Sequence, residues 1–216
     1  SGGNVVIPDT VNTLPATSIG KKAFCDCTSI TSVTIPASVT NIESGRVGYP
    51  WGAFARCAGL TNITIPNSIK NVGVFAFSGC TNLTSVTIGN GVTSIGEGAF
   101  SGCSSLTSVT IPASVISIGE WAFVCCTSLT SVTIANGVTN IGTGAFGGYS
   151  SLTVIAVDTN NPAYCSVSGV LLDKSETTLI LCPGGKAGAY TIPNGVTSIG
   201  EAAFNDCPSL TSVTIP

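Results

Sequence analysis

The stretch LTSVTIPASVISIGEWAFVCC, running from Leu106 to Cys126, decides the fold. Its opening alternates, with Val109 and Ile111 apolar and Ser108 and Thr110 polar. Successive side chains on a strand point to opposite faces, so Val109 and Ile111 are predicted to face inward and Ser108 and Thr110 outward. Pro112 has no N–H to give to a ladder and ends the strand. Val115 and Ile118 are expected to turn inward again, with Gly119 letting the chain bend. Ala122 and Phe123 then supply bulk on a back wall, and Cys126 closes the unit. A short helical turn is expected around residues 119–126.

The same unit recurs on both sides. It reads LTSVTIGNGVTSIGEGAFSGC from Leu83 to Cys103 and LTSVTIANGVTNIGTGAFGGY from Leu129 to Tyr149. Leu83, Leu106, Leu129 and Leu152 are each 23 residues apart, as are Ile65, Ile88, Ile111 and Ile134. A fixed period in the twenties with the form L-x-x-V-x-I is the signature of a leucine-rich repeat solenoid. The fold expected is β-rich, built of right-handed parallel coils of about 23 residues with short helical turns. No coil can bury its own apolar side, so stacked coils share one continuous core. Each buried Ile, Val, Leu or Phe contributes roughly 1.5–3 kcal/mol relative to exposure.

That repeat explains a mean hydropathy of +0.52 without a membrane segment, because the apolar residues are spread at coil spacing. No run reaches the ~20 residues that a spanning helix needs. Lys and Arg number 7, Asp and Glu 10, and the net charge is −3. Phosphate contacts require clustered Lys and Arg, so neither nucleic acid nor an anionic lipid surface is an expected partner. The chain opens SGGNVVIP and contains no Met. We read it as a piece of a longer, processed protein, with more repeats or another domain beyond the coil opening at Leu210-Thr-Ser-Val-Thr-Ile-Pro216.

Along the chain, the whole of 1–216 reads as one solenoid domain. Residues 1–34 form a cap-like first coil, with five extra residues around Thr10–Pro15. Coils at 35–157 are regular except for seven extra residues in the loop 43–51, which holds Arg46, Tyr49 and Trp51. Residues 158–191 break the pattern: Asp158-Thr-Asn-Asn-Pro162 is turn chemistry. Gly169-Val-Leu-Leu-Asp then precedes Thr177-Thr-Leu-Ile-Leu181 around a polar centre, which predicts a β-hairpin. Repeats resume over 192–216.

These residues resemble the BspA-like leucine-rich repeats, whose coil reads LxxLxLPxxLxxIGxxAFxxCxx. The resemblance covers nearly the whole chain through V-x-I-P, S-V-x-x-I-G, A-F and the following Cys in register. The irregular stretch, N-N-P-x-Y followed by G-V-L-L and T-T-L, is similar to a variant coil of that family. The resemblance implies a secreted or cell-surface protein that adheres to matrix proteins or other cells, without shared catalytic residues. It assigns no role to the loop 43–51.

Three constellations stand out. Cys57, Cys80, Cys103 and Cys126 recur once per coil, with Cys27 and Cys207 at the same position. A ladder of small buried residues explains them. A zinc site needs four converging ligands, and the chain has no His, so no metal or cofactor is expected. Cys165 and Cys182 leave that ladder and flank the irregular coil, where a disulfide between them would suit an extracellular protein. Second, Ser85/Thr87, Ser108/Thr110 and Ser131/Thr133, with Asn62/Thr64 before them, predict two polar rows on the outer face. Thr64, Thr87, Thr110 and Thr133 are candidate contacts there for a glycan or protein, or even ice, although Ser and Thr also simply solvate a strand surface. Third, Arg46, Tyr49 and Trp51 are of types enriched in interface hot spots, although Trp51 also has the option of packing on the coil's back.

Catalysis finds no support. Without His, Ser-His and Cys-His nucleophilic systems are excluded. Glu97, Glu120 and Glu201 share one coil position and mark a solvated edge, not an acid–base pair. The expectation is a monomeric, non-enzymatic adhesion module, extracellular or at the cell surface, that binds a protein or glycan on a host or neighbouring cell. The alternative is a structural spacer that holds another domain away from the cell.

Overall fold

The computed structural model describes residues 3–45, 51–148 and 151–216. The alternating stretches become strands in the predicted register. Gly3–Val6, Ile30–Thr34, Asn62–Ile65 and Ser85–Ile88 form one parallel sheet. Ser108–Ile111, Ser131–Ile134 and Val154–Val157 continue the same face. Partners sit one period apart: Ser108 opposite Ser131, Val109 opposite Val132, Thr110 opposite Thr133, Ile111 opposite Ile134. One face of the strands within the stack is buried, so a slip of one residue would expose every inward side chain, and that locks the register.

A second, narrow sheet was not foreseen. Its strands are two residues long: Ser18–Ile19, Asn41–Ile42, Asn71–Val72, Ser94–Ile95, Ser117–Ile118 and Asn140–Ile141, six in parallel. Each provides one inward apolar residue, and Ile42, Val72, Ile95 and Ile118 are buried. Here each later coil gives its N–H groups back to the coil before: Gly96 to the Val72 carbonyl, Gly119 to Ile95, Gly142 to Ile118.

The third side corrects the expected helical turn. Residues 119–126 form no helix, and none occurs among the described residues. Trp121 and Cys125 take positive φ, 52° and 62°, and the same two coil positions do so at Gly98 and Gly102 and at Gly144 and Gly148. Val124 N–H closes on the Trp121 carbonyl at 3.1 Å, while Trp121 and Phe123 N–H reach forward to Thr143 and Ala145 at 3.1 and 2.8 Å. Left-handed residues aim alternate amides out of the coil, so a helical ladder cannot build; the next coil takes them. Glycine suits these positions, and Trp121 lies where a Cβ on Gly144 would be, 2.7 Å from its ring.

Inside, Phe24, Phe54, Phe77, Phe100, Phe123 and Phe146 stack ring on ring at 5.1–5.5 Å with interplanar angles of 1–11°. Offset parallel rings at this spacing attract beyond their burial alone.

The extra residues near Thr10 make a small hairpin, Thr10–Val11 against Leu14–Pro15. The turn residues Asn12 and Thr13 both have positive φ, as a two-residue hairpin turn requires. The irregular coil contains the predicted hairpin, Val170–Asp173 against Thr178–Leu181, and one strand more. Tyr164–Val167 pairs antiparallel with Val170–Asp173 through Ser168-Gly169, both at positive φ. Leu171 packs into the main core while Val170 and Leu172 face a second cluster with Leu179, Cys182, Tyr190 and Ile192. Burial on both faces accounts for the unbroken Val-Leu-Leu run.

Two side chains dock this coil. The Asn161 amide is fully buried; its Nδ2 donates to the Ala135 and Val138 carbonyls, both at 2.9 Å. Its Oδ1 accepts from Ala163 and Tyr164 N–H at 2.9 and 2.8 Å. Tyr164 OH accepts from Ile141 N–H at 3.0 Å, filling the place of a next strand in the narrow sheet. Tyr164→Phe should therefore cost about 1–3 kcal/mol by orphaning that amide. A urea midpoint equal to that of the parent protein would refute this account.

Candidate interaction surfaces

The wide sheet presents its polar rows outward as expected. Thr64, Thr87, Thr110 and Thr133 are all exposed. Parallel pairing stacks them in line: Thr64 opposite Thr87, Thr110 opposite Thr133. Neighbouring rungs of such a sheet lie about 4.8 Å apart. Among the described residues these four hydroxyls make no hydrogen bond. The hydroxyls one row over are engaged instead: Thr84 Oγ1 donates to the Thr61 carbonyl at 2.9 Å and Thr130 to Thr107 at 3.0 Å. Val154 and Ala156 follow opposite Ser131 and Thr133 and end the polar rows.

Arg46 and Tyr49 lie outside the described residues. Trp51 is half-buried at the turn side, a different side of the coil from the threonine rows. Its ring is flanked by two cations, Arg56 Cζ at 4.2 Å and Lys22 Nζ at 4.7 Å from the centroid. Arg56 in turn holds Asp26 through Nε at 2.8 Å and Nη2 at 2.9 Å. With both side chains half-exposed, such a pair is worth at most about 1 kcal/mol, but it fixes the guanidinium over the indole. Sequence reasoning missed Lys22, Asp26 and Arg56. Their signal was coil position: Asp26 and Arg56 both sit two residues after the A-F pair, in consecutive coils.

The thiols take the bland part. Cys80, Cys103 and Cys126 are buried and donate to the Phe54, Phe77 and Phe100 carbonyls, each at 3.3 Å. Cys165 and Cys182 are not brought together, and both are free thiols. Cys165 Sγ donates to the Asp173 carbonyl at 3.1 Å, while the sulfur beside Cys182 is that of Cys207. The antiparallel pairing explains this, since it sets Cys165 opposite Leu172.

Burial pushes the Cys126 thiol up to about 12, and burial followed by the neighbouring Cys207 does the same for Cys182. A raised folded-state value gives stability that is complete below the unfolded value of 9.0 and is lost as pH rises toward about 12. Urea midpoints should therefore fall across that window. The Cys126→Ala/Cys182→Ala variant should lose part of the slope; an unchanged slope would refute the assignment.

The family model described as "BspA type Leucine rich repeat region" matches in six copies over residues 3–46, 50–164 and 186–216. The chain belongs to the BspA-type leucine-rich repeat family. The model passes over 165–185, where the BspA-type coil gives way to antiparallel strands. No curated protein matches this BspA-type chain. Solved structures do: a leucine-rich repeat protein from Eubacterium ventriosum shares 27% identity, with 99% of this chain aligned to 54% of that one and a TM-score of 0.77. A leucine rich cell surface protein from Faecalibacterium prausnitzii shares 28% identity, covering 98% of this chain and 69% of that one, with a TM-score of 0.60. The pneumococcal vaccine antigen PcpA, at 21% identity and a TM-score of 0.64, shares the fold. The chain spans about half the length of the first of these. Leucine-rich repeat proteins are interaction scaffolds, generally without catalytic function. Among the described residues no helix is long and apolar enough to cross a membrane.

Proposed function

We propose that this protein is a non-enzymatic extracellular or cell-surface interaction module, acting as a monomer, that binds a protein or glycan on a host or neighbouring cell through its wide sheet. The observation that carries this reading is the run of exposed hydroxyls at Thr64, Thr87, Thr110 and Thr133, without a hydrogen bond among the described residues, in which parallel pairing sets Thr64 beside Thr87 and Thr110 beside Thr133. Hydroxyls without an internal partner are free to bond a ligand, and a preformed array loses little entropy on binding. A surface location is supported by the family and by the Faecalibacterium relative called a cell surface protein. The corner of Trp51 is a second candidate contact, with Arg46 and Tyr49 close to it in sequence.

The test is an interferometry screen of the folded chain against matrix proteins, mucin and a glycan panel. A saturable ligand at physiological salt should bind at least about tenfold more weakly to the Thr87→Ala/Thr110→Ala/Thr133→Ala variant. Trp51→Ala, run in parallel, reports on the corner. Full binding by the triple variant would move the site off the sheet, and no binding at all would favour the spacer.

A further inference from the structure

The irregular coil places a cysteine where the regular coils place phenylalanine. In the regular coils the N–H of the A-F phenylalanine donates to the alanine one coil on: Phe54 to Ala76, Phe77 to Ala99 and Phe100 to Ala122, each at 2.8 Å. In the irregular coil Cys182 makes that bond, its N–H donating to the Ala203 carbonyl at 2.7 Å. The sulfurs agree with this alignment. Each ladder thiol reaches back to the phenylalanine carbonyl of the coil before, as Cys103 does to Phe77 at 3.3 Å, and Cys207 reaches back to the Cys182 carbonyl at 3.7 Å. Where other ladder thiols have a phenylalanine in front of them, Cys207 has a second thiol.

The two sulfurs converge on one oxygen. Cys182 Sγ lies 3.9 Å and Cys207 Sγ 3.8 Å from the Pro183 carbonyl oxygen, and the two are within hydrogen-bond reach of each other. Cys207 Sγ also meets the Asn205 carbonyl at 3.6 Å, so none of its contacts is as short as the 3.3 Å of the ladder thiols, and its side chain loses little by turning. Cys182 is fully buried, whereas Cys207 is half-buried and open to a small reagent. Neighbouring ladder thiols also come within reach, Cys57 and Cys80 among them, but both of those are fully buried.

We propose that Cys182 and Cys207 are the thiols this fold prepares for oxidation, closing a disulfide across Pro183–Asp206 under a small-molecule disulfide such as oxidised glutathione. The Cys207 thiol gives its proton to water, and its sulfur attacks one glutathione sulfur and releases one glutathione thiolate. Cys182 then loses its proton, and its sulfur displaces the second glutathione thiolate from Cys207. Two protons and two electrons leave the pair, and the glutathione disulfide becomes two thiols. Burial, and then the charge of Cys207, push the Cys182 thiol up; the first step removes the second of these causes. The bond ties the irregular coil to the repeats that resume after it. It needs oxidising surroundings, which the extracellular reading supplies. The test brings its own oxidant, so its outcome is separate from that of the binding screen.

Trypsin makes the test direct. Cleavage after Lys174 and Lys186 leaves Cys182 alone in peptide 175–186 and Cys207 alone in 187–216. After the folded, reduced chain is incubated with oxidised glutathione and alkylated, mass spectrometry should find these two peptides joined. Peptides 57–70 and 71–174, which hold Cys57 and Cys80, should stay unlinked. The oxidised protein should melt about 5 °C or more above the reduced one. Because the fold brings the thiols together, the equilibrium constant for closure should be at least about tenfold larger in native protein than in urea. Cys207→Ser should abolish both the joined peptides and the gain in melting temperature, and Cys165→Ser should keep both. The proposal fails if Cys182 is recovered alkylated with glutathione left on Cys207, if Cys182 is joined to Cys165 instead, or if Cys57 and Cys80 close as fast. Closure that is equally favourable in urea would likewise overturn it.

Discussion

Phe100→Ala should lower the stability of the solenoid by about 3–5 kcal/mol, the usual cost of emptying a buried phenylalanine site. Phe100 is fully buried and stacks on Phe77 at 5.3 Å and Phe123 at 5.2 Å. Its loss therefore removes two ring contacts as well as opening a cavity. Backbone collapse is blocked, because Phe100 N–H is tied to Ala122 and the adjacent coils are pinned by their own ladders. Phe24 stacks on one ring only and is partly exposed, so Phe24→Ala should cost markedly less. In a stack where each coil touches only its neighbours, the damage should also be local. Hydrogen exchange should quicken in the coils beside Phe100 before those near Ile19. Equal losses for the two variants would mean that the rings act as separate core residues and not as a stack.

Asn161→Ala should cost on the order of 4 kcal/mol although it removes no apolar surface. The amide satisfies two carbonyls and two N–H groups at a fully buried position. Each orphaned group costs about 1–3 kcal/mol, with water reaching some of them after truncation. Because Asn161 ties the irregular coil to Ala135 and Val138, the loss should appear first as exchange of the amides in 161–182. A variant whose irregular coil stays as protected as the rest would refute this role.

How much was legible follows from which contacts are periodic. Wherever a side chain meets its own equivalent one coil away, spacing alone sufficed: the Ser108–Ile111 register, the buried Leu83 and Leu106, the outward Thr87 and Thr110. The helical turn was misjudged because its shape depends on amides leaving the coil, which local propensity does not encode. The narrow sheet escaped notice because two-residue strands carry no alternation. In the irregular coil, Tyr164–Val167 lacks a period-two pattern and is half-buried throughout, so only the hairpin after it was visible. The candidate surfaces divided the same way. The threonine rows followed from alternation, whereas the Trp51 corner needs Lys22 and Arg56 from neighbouring coils.

The opposed directions of the hydrogen bonds have an electrostatic consequence. On the turn side each coil donates forward, as Phe100 does to Ala122; along the narrow sheet it donates backward, as Gly119 does to Ile95. An α-helix aligns all its peptide dipoles and gathers partial charges at its ends. In this stack the bonds of the turn side oppose those of the narrow sheet, so their dipoles partly cancel along the axis. Adding coils therefore builds up end charge more slowly than adding turns to a helix does, which suits a chain with only 17 Asp, Glu, Lys and Arg residues.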